Sequence, residues 1–237
     1  GVVIGNAIEE CKMLAERLDA PVCNGYQHND SFPGSHPLAV GPLGYNGSKA
    51  AMQLISKADV VLALGTRLNP FSTLPGYGID YWPKNATIIQ VDMNPDRIGL
   101  TKKVTVGICG DCKMVAKQIS DKLSKDAGND GREERKNLIH KTKSAWLQTL
   151  TGLDHEEDDP GTVWNKEARE RDKDRMSPRQ AWRAIQEAIP TGAIISSDIG
   201  NNCAIGNAYP TFEEGRKYLA PGLFGPCGYG FPSILGA

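Results

Sequence analysis

The stretch Val60-Val61-Leu62-Ala63-Leu64-Gly65-Thr66-Arg67, answered by Thr87-Ile88-Ile89-Gln90-Val91-Asp92-Met93, decides the fold class. Each is a short β-branched run ending abruptly in polar residues. Apolar side chains at nearly every position, rather than at alternate ones, mark a strand covered on both faces. Around these runs lie helical faces: Ala50, Ala51, Leu54, Ile55 and Ala58 recur at helical spacing, as do Val115, Ile119 and Leu123. Strands alternating with such helices predict an α/β unit, a parallel sheet flanked by helices, with ligands bound beyond the carboxyl ends of the strands. Val2-Val3-Ile4 reads as a further buried strand of this unit, which spans residues 1–124.

From residue 125 to 175 the composition changes. Arg132-Glu133-Glu134-Arg135-Lys136, His155-Glu156-Glu157-Asp158-Asp159-Pro160 and Glu167-Ala168-Arg169-Glu170-Arg171-Asp172-Lys173-Asp174-Arg175 are dense in mixed charge and read as solvated helix faces or linker, with Trp146, Leu147 and Trp164 pinning helical pieces to a surface. At Ser177-Pro178 a helix begins, Ser at the N-cap and Pro at the first helical position, with Ala181, Trp182, Ile185 and Ala188 on one apolar face. A second unit, 176–237, starts there.

The chain of 237 residues carries a net charge of -1, 40% hydrophobic and 23% charged residues, which leaves no basic field for nucleic acid and no polybasic membrane patch. No apolar run approaches the ~20 residues of a spanning helix, and no signal peptide is visible, so the expected compartment is the cytoplasm. Six cysteines in a chain this long do not suggest a disulfide framework. Cys109-Gly110-Asp111-Cys112 has redox or zinc spacing, but His28, His36, His140 and His155 supply no second ligand pair, and a strand end followed by a helix start accounts for it.

Three places have the composition of a binding site. Ile194-Ile195-Ser196-Ser197-Asp198-Ile199-Gly200-Asn201-Asn202 reads as a buried strand running into a polar turn, where main-chain N–H groups and neutral amides suit a phosphate and glycine lets it approach; an ordinary Asx-type turn has the same composition. Gly225-Pro226-Cys227-Gly228-Tyr229-Gly230-Phe231-Pro232 is a glycine-punctuated loop leading into a helix, with the form of a cofactor cradle or of a plain connection. The third is a crevice at strand ends: Gly65, Thr66 and Arg67, then Asp92, then Asp111, with Tyr45-Asn46-Gly47 before a helix, suited to the phosphates and ribose of a nucleotide though without a G-x-G-x-x-G fingerprint.

The strand-turn and the G-x-x-G-[FY]-G-x-P loop together resemble the opening of the coenzyme domain of thiamine-diphosphate enzymes. Asn24-Gly25-Tyr26-Gln27-His28-Asn29-Asp30-Ser31-Phe32, Asn69-Pro70-Phe71-Ser72-Thr73-Leu74-Pro75-Gly76-Tyr77-Gly78 and Asn201-Asn202-Cys203-Ala204-Ile205-Gly206-Asn207-Ala208-Tyr209-Pro210 extend the resemblance over nearly the whole chain, to the sulfoacetaldehyde acetyltransferases of the acetohydroxyacid-synthase-like family. The resemblance implies a Rossmann-like middle domain (1–124), a charged connection (125–175) and the start of the diphosphate-binding domain (176–237), within an internal fragment of a longer polypeptide. It implies thiamine diphosphate and Mg²⁺ as cofactors, with Ile199, Gly200, Asn201, Asn202, Gly225, Cys227, Gly228 and Tyr229 facing the coenzyme. The residue matching Cys227 is apolar in relatives, often Met, so packing beneath the coenzyme is the point of departure. The activating glutamate and the metal motif are expected outside the sequence, leaving no catalytic residue and no metal ligand assignable within it. In flavin-containing relatives Gly65, Arg67, Asp92 and Asp111 match FAD-holding positions; here the crevice is expected to be scaffold without flavin. The implied reaction joins small molecules, sulfoacetaldehyde and phosphate, into acetyl phosphate and sulfite, in a homo-oligomer whose active site is shared between subunits, with the fragment alone inactive. The alternatives are a pyruvate carboligase and a non-catalytic nucleotide-binding domain.

Overall fold

A computed structural model describes residues 1–154, 174–222 and 224–237. The first unit runs α1 (Ile8–Leu18), β1 (Val22–Asn24), β2 (Ala39–Pro42), α2 (Lys49–Ile55), β3 (Val60–Leu64), α3 (Pro70–Thr73), β4 (Thr87–Asp92), β5 (Val106–Cys109) and α4 (Cys112–Lys122). Strands β3, β4 and β5 form one parallel sheet in that order, with Leu62 opposite Ile89 and Val91 opposite Ile108, while β1 and β2 pair in parallel beside it. The α/β class with parallel sheets is therefore the observed one. Apolar clusters hold it, two of them large. One packs Ala51, Met52, Leu54 and Ile55 of α2 with Phe32, Leu38, Val40 and Tyr81, and the other joins Leu14 of α1, Val91 of β4 and Ala116 of α4.

Val2-Val3-Ile4 is not a strand. Gly5 N donates to Gly1 O at 2.7 Å and Ala7 N to Val2 O at 2.9 Å, closing a turn that feeds α1, and Ile4 is 84% exposed. A strand needs a neighbour for its N–H and C=O groups; here those groups are used locally, and Gly1 instead packs on Gly65, where a Cβ would stand 2.9 Å from the Gly1 Cα.

The helix α5 (Arg132–Asp154) occupies the charged connection. Its Trp146 and Leu150 are buried with Ala50, and Leu147 is exposed. Its charges are not merely solvated. Arg132 pairs with Asp19 at 2.6 Å, and Arg135 donates to the carbonyls of Leu18 at 2.9 Å and Asp19 at 3.0 Å, satisfying the orphan acceptors at the carboxyl end of α1. The runs at 155–160 and 167–173, and Trp164, lie outside the described residues.

The remaining elements are α6 (Pro178–Ala188), β6 (Ile195–Ser196), α7 (Asn201–Gly206), β7 (Tyr218–Leu219) and α8 (Gly230–Leu235), with β6 and β7 paired in parallel. The Ser177 hydroxyl accepts from Gln180 N at 3.1 Å while the Gln180 amide oxygen accepts from Ser177 N at 2.9 Å, a complete capping box ahead of Pro178. Of the expected face of α6, Trp182 is buried but Ile185 is 43% exposed. No described helix is long and apolar enough to cross a membrane.

Candidate coenzyme cradle

Strand β6 ends at Ser196, and the chain then turns through Ser197-Asp198-Ile199-Gly200 into α7. Gly200 lies at φ 126° and ψ -166°, a region that essentially only glycine occupies, so the turn itself demands this residue. A Cβ there would meet only the Asn202 amide oxygen, at 3.2 Å. No side chain caps α7, and Gly200, Asn201 and Asn202 are exposed, so the first-turn N–H groups are without a capping partner beside two neutral amides. Asn202 donates to Asp198 O at 3.3 Å and to the Ser197 hydroxyl at 3.4 Å, tightening the turn.

The Gly225–Gly230 loop lies directly against this strand end. A Cβ on Gly225 would meet the Ile199 side chain at 3.1 Å, and one on Gly230 would meet Asp198 N at 3.0 Å. The Ser196 and Ser233 hydroxyls share a hydrogen bond at 2.5 Å. Gly228 takes φ 86° at the loop's sharpest point, and Cys227 is exposed. The two glycine motifs, which lie some 25 residues apart in sequence, thus form one contiguous surface. Clefts of about 510 Å³ and 350 Å³ flank β6, the first lined by Ile194, Phe231 and Ile234, the second by Trp182, Ile185 and Asn202.

Residues that the sequence did not assign to the site hold this arrangement. The Asp198 carboxylate accepts from the N–H groups of Ile199, Gly228 and Tyr229 at 2.9–3.3 Å. Those bonds, the one from Ile199 foremost, hold its carboxyl below the ordinary value. Trp182 donates from its indole to Asn202 O at 2.8 Å and lies against Gly206, where a Cβ would clash with the ring at 2.4 Å. Asn207, wholly buried at the end of α7, accepts from Gln27 N at 3.0 Å and donates to Tyr45 O at 3.2 Å, pinning α7 to the first unit. Asn29 donates to Asn207 O and Pro210 O, and Asp30 accepts from Lys217 N and Tyr218 N at the start of β7. The Asn24–Phe32 segment that carried the resemblance is thus the seat of the second unit. No periodicity in sequence signals such long-range pairs.

At the other strand ends, Gly65 (φ 59°), Arg67, Asp92 and Asp111 do line the carboxyl edge of β3, β4 and β5, but two of them have structural work. Asp92 accepts from Asn94 N at 2.9 Å and Asp111 caps α4 through Met114 N at 3.1 Å, while the Gly1–Gly5 turn covers Gly65 and approaches Asp111. Cys109 closes β5 and Cys112 opens α4, a strand end followed by a helix start. Among the described residues no group of three or more His, Cys, Asp or Glu is placed to hold a metal ion.

Comparison with known proteins matches this architecture. The chain is 78% identical over its whole length to a probable sulfoacetaldehyde acetyltransferase of Rhizobium meliloti (strain 1021), covering 40% of that protein. It is 75% identical to a sulfoacetaldehyde acetyltransferase of Roseovarius nubinhibens and 69% identical to one of Rhodobacter capsulatus, again over the whole chain and covering 39% and 40% of those proteins. The chain therefore spans about 40% of the length of the curated relatives it matches. The model of the thiamine pyrophosphate enzyme central domain matches residues 1–119, the unit built on β1–β5. With just over half its residues matching that domain and its parallel sheets in place, the chain belongs to the thiamine pyrophosphate enzyme family.

Proposed function

We propose that the chain is an internal part of a sulfoacetaldehyde acetyltransferase, which converts sulfoacetaldehyde and phosphate into acetyl phosphate and sulfite with thiamine diphosphate and Mg²⁺. Support comes from relatives of that name, which align with every part of the chain, both cradle motifs included. The observation that carries the reading is the single surface formed by the uncapped, glycine-led start of α7 and the Gly225–Gly230 loop. Uncapped main-chain N–H groups and neutral amides fit a diphosphate. When bound, thiamine diphosphate supplies the carbanion chemistry that cleaves the bond next to a carbonyl.

The chain's own residues bind and orient. Gly200 clears space for the phosphates, Asn201 offers them its side-chain amide and Asn202 its main-chain N–H, and Cys227 and Tyr229 present the loop to the rest of the coenzyme. Because Ile199, Gly228 and Tyr229 spend their N–H groups on Asp198, the phosphate donors concentrate at Asn201 and Asn202. Residues 1–124 serve as a middle domain whose Gly65–Asp92–Asp111 crevice is scaffold rather than a flavin site, 125–175 as connection, and 176–237 as the start of the diphosphate domain. The complete enzyme works in the cytoplasm as a homo-oligomer with shared active sites, and the isolated chain is inactive.

The test uses the full-length enzyme. Asn201→Ala removes one hydrogen bond to a charged phosphate, about 1.5–3 kcal/mol, so thiamine diphosphate should bind roughly tenfold to hundredfold more weakly, with sulfite release recovering at saturating coenzyme. Gly200→Val forces a β-branched residue into a glycine-only conformation and should cost more. Wild-type coenzyme affinity in both variants, measured by titration calorimetry, would reject the site; condensation of pyruvate without sulfite release from sulfoacetaldehyde would reject the reaction.

A further inference from the structure

We infer that Asp198 is the positioning residue of the cradle: its carboxylate fastens the Cys227–Gly230 loop to the end of β6 and thereby sets the gap between loop and turn. The proposal rests on the coenzyme reading above and goes beyond it by giving the gap a keeper. Gly228 N donates to both carboxylate oxygens, at 3.0 and 2.9 Å, and Tyr229 N and Ile199 N donate to Oδ1 at 3.3 and 2.9 Å. One side chain thus gathers main-chain donors from the turn and from a loop 30 residues away. Only an ionised carboxylate does this well. It is acceptor-only on both oxygens, and its bonds to N–H groups are stronger than those of a neutral acceptor.

The surrounding geometry requires such a fastening. Gly228 sits at φ 86° and, among the described residues, nothing lies within 4 Å of its Cβ position. The ends of the loop lie close to the turn, Gly225 at Ile199 and Gly230 at the Asp198 backbone, with the Ser196–Ser233 hydroxyl pair beyond. Between them the Asp198 carboxylate is the bridge. Both its oxygens are engaged by N–H groups, which leaves it an anchor rather than a proton carrier. Those same N–H groups offset its negative charge next to a surface meant for a diphosphate.

Asp198→Asn and Asp198→Ala in the full-length enzyme test this. The amide keeps one acceptor oxygen but turns an NH₂ group toward Gly228 N–H, so deuterium uptake over residues 225–231 should accelerate in the order Ala, then Asn, then wild type. Thiamine diphosphate should bind about tenfold more weakly in Asp198→Asn, the effect of one bond to a charged acceptor, and still more weakly in Asp198→Ala. Deuterium uptake over residues 1–119 should stay at the wild-type rate in both variants, which a general loss of structure would not permit. Unchanged loop exchange in both variants overturns the fastening. Faster exchange with unchanged coenzyme affinity overturns the positioning role. Failure of the wild-type enzyme to bind thiamine diphosphate sinks the functional reading instead, and loop exchange then still decides the fastening.

Discussion

Replacing Asn207 by alanine should be among the most damaging polar substitutions in this chain. The side chain is fully buried and well used: Oδ1 accepts from Gln27 N at 3.0 Å, and Nδ2 donates to Tyr45 O at 3.2 Å and, more weakly, to Leu43 O at 3.4 Å. Truncation leaves the buried Gln27 N–H without a partner, at about 1–3 kcal/mol, and takes a donor from the Tyr45 and Leu43 carbonyls. A water admitted to the vacated space would pair part of them, so we expect a loss of about 3 kcal/mol. Urea denaturation followed by fluorescence should show the midpoint falling with the slope unchanged. Asn207→Asp separates hydrogen bonding from shape: it keeps the volume and the bond from Gln27 but sets a carboxylate against two carbonyls, and should destabilise at pH 7. A loss below about 1 kcal/mol in both variants would refute the assignment of Asn207 as the pin between the units.

Two further predictions concern the packing and charge around α7. Gly206→Ala drives a Cβ into the Trp182 ring at 2.4 Å and should destabilise by about 1–3 kcal/mol while altering the near-ultraviolet signal of the displaced indole; an unchanged spectrum and stability would show that the ring moves freely. Asp198, held below its ordinary value of 3.8 by the N–H groups on it, contributes stability that is complete above that value and fades as pH falls through the lower folded value. The loop should therefore stay fastened at pH 5 and loosen only below pH 4, with a carboxyl resonance titrating under 3.8; titration above it would contradict the arrangement.

The elements with strong local signals were legible in the sequence. Val60–Leu64 and Thr87–Asp92 declared themselves as strands of a parallel sheet, although Val60 and Thr87 are exposed, Ser177-Pro178 as a capped helix start, and the two glycine motifs as turns. In each case the deciding physics is local: β-branching, side-chain period, a capping hydroxyl, or a backbone angle that only glycine tolerates. Val2-Val3-Ile4 misled for the same reason, because three apolar residues look alike in a strand and in a turn, and only the partners of their backbone groups tell them apart.

Tertiary structure decided what depends on distance in space. Arg132 and Arg135 sit in a charge run that composition assigns to solvent, yet they close the end of α1 more than a hundred residues earlier. Asp198 reaches 30 residues forward and Asn207 reaches back 180 to Gln27. Sequence by itself determined the class of the fold, the two glycine turns and the family they resemble, since those rest on short-range sterics and spacing. Which side chains bring the turns together and hold them at a fixed gap was settled only by folding, because a hydrogen bond between residues far apart in the chain leaves no periodic trace in either partner's neighbourhood.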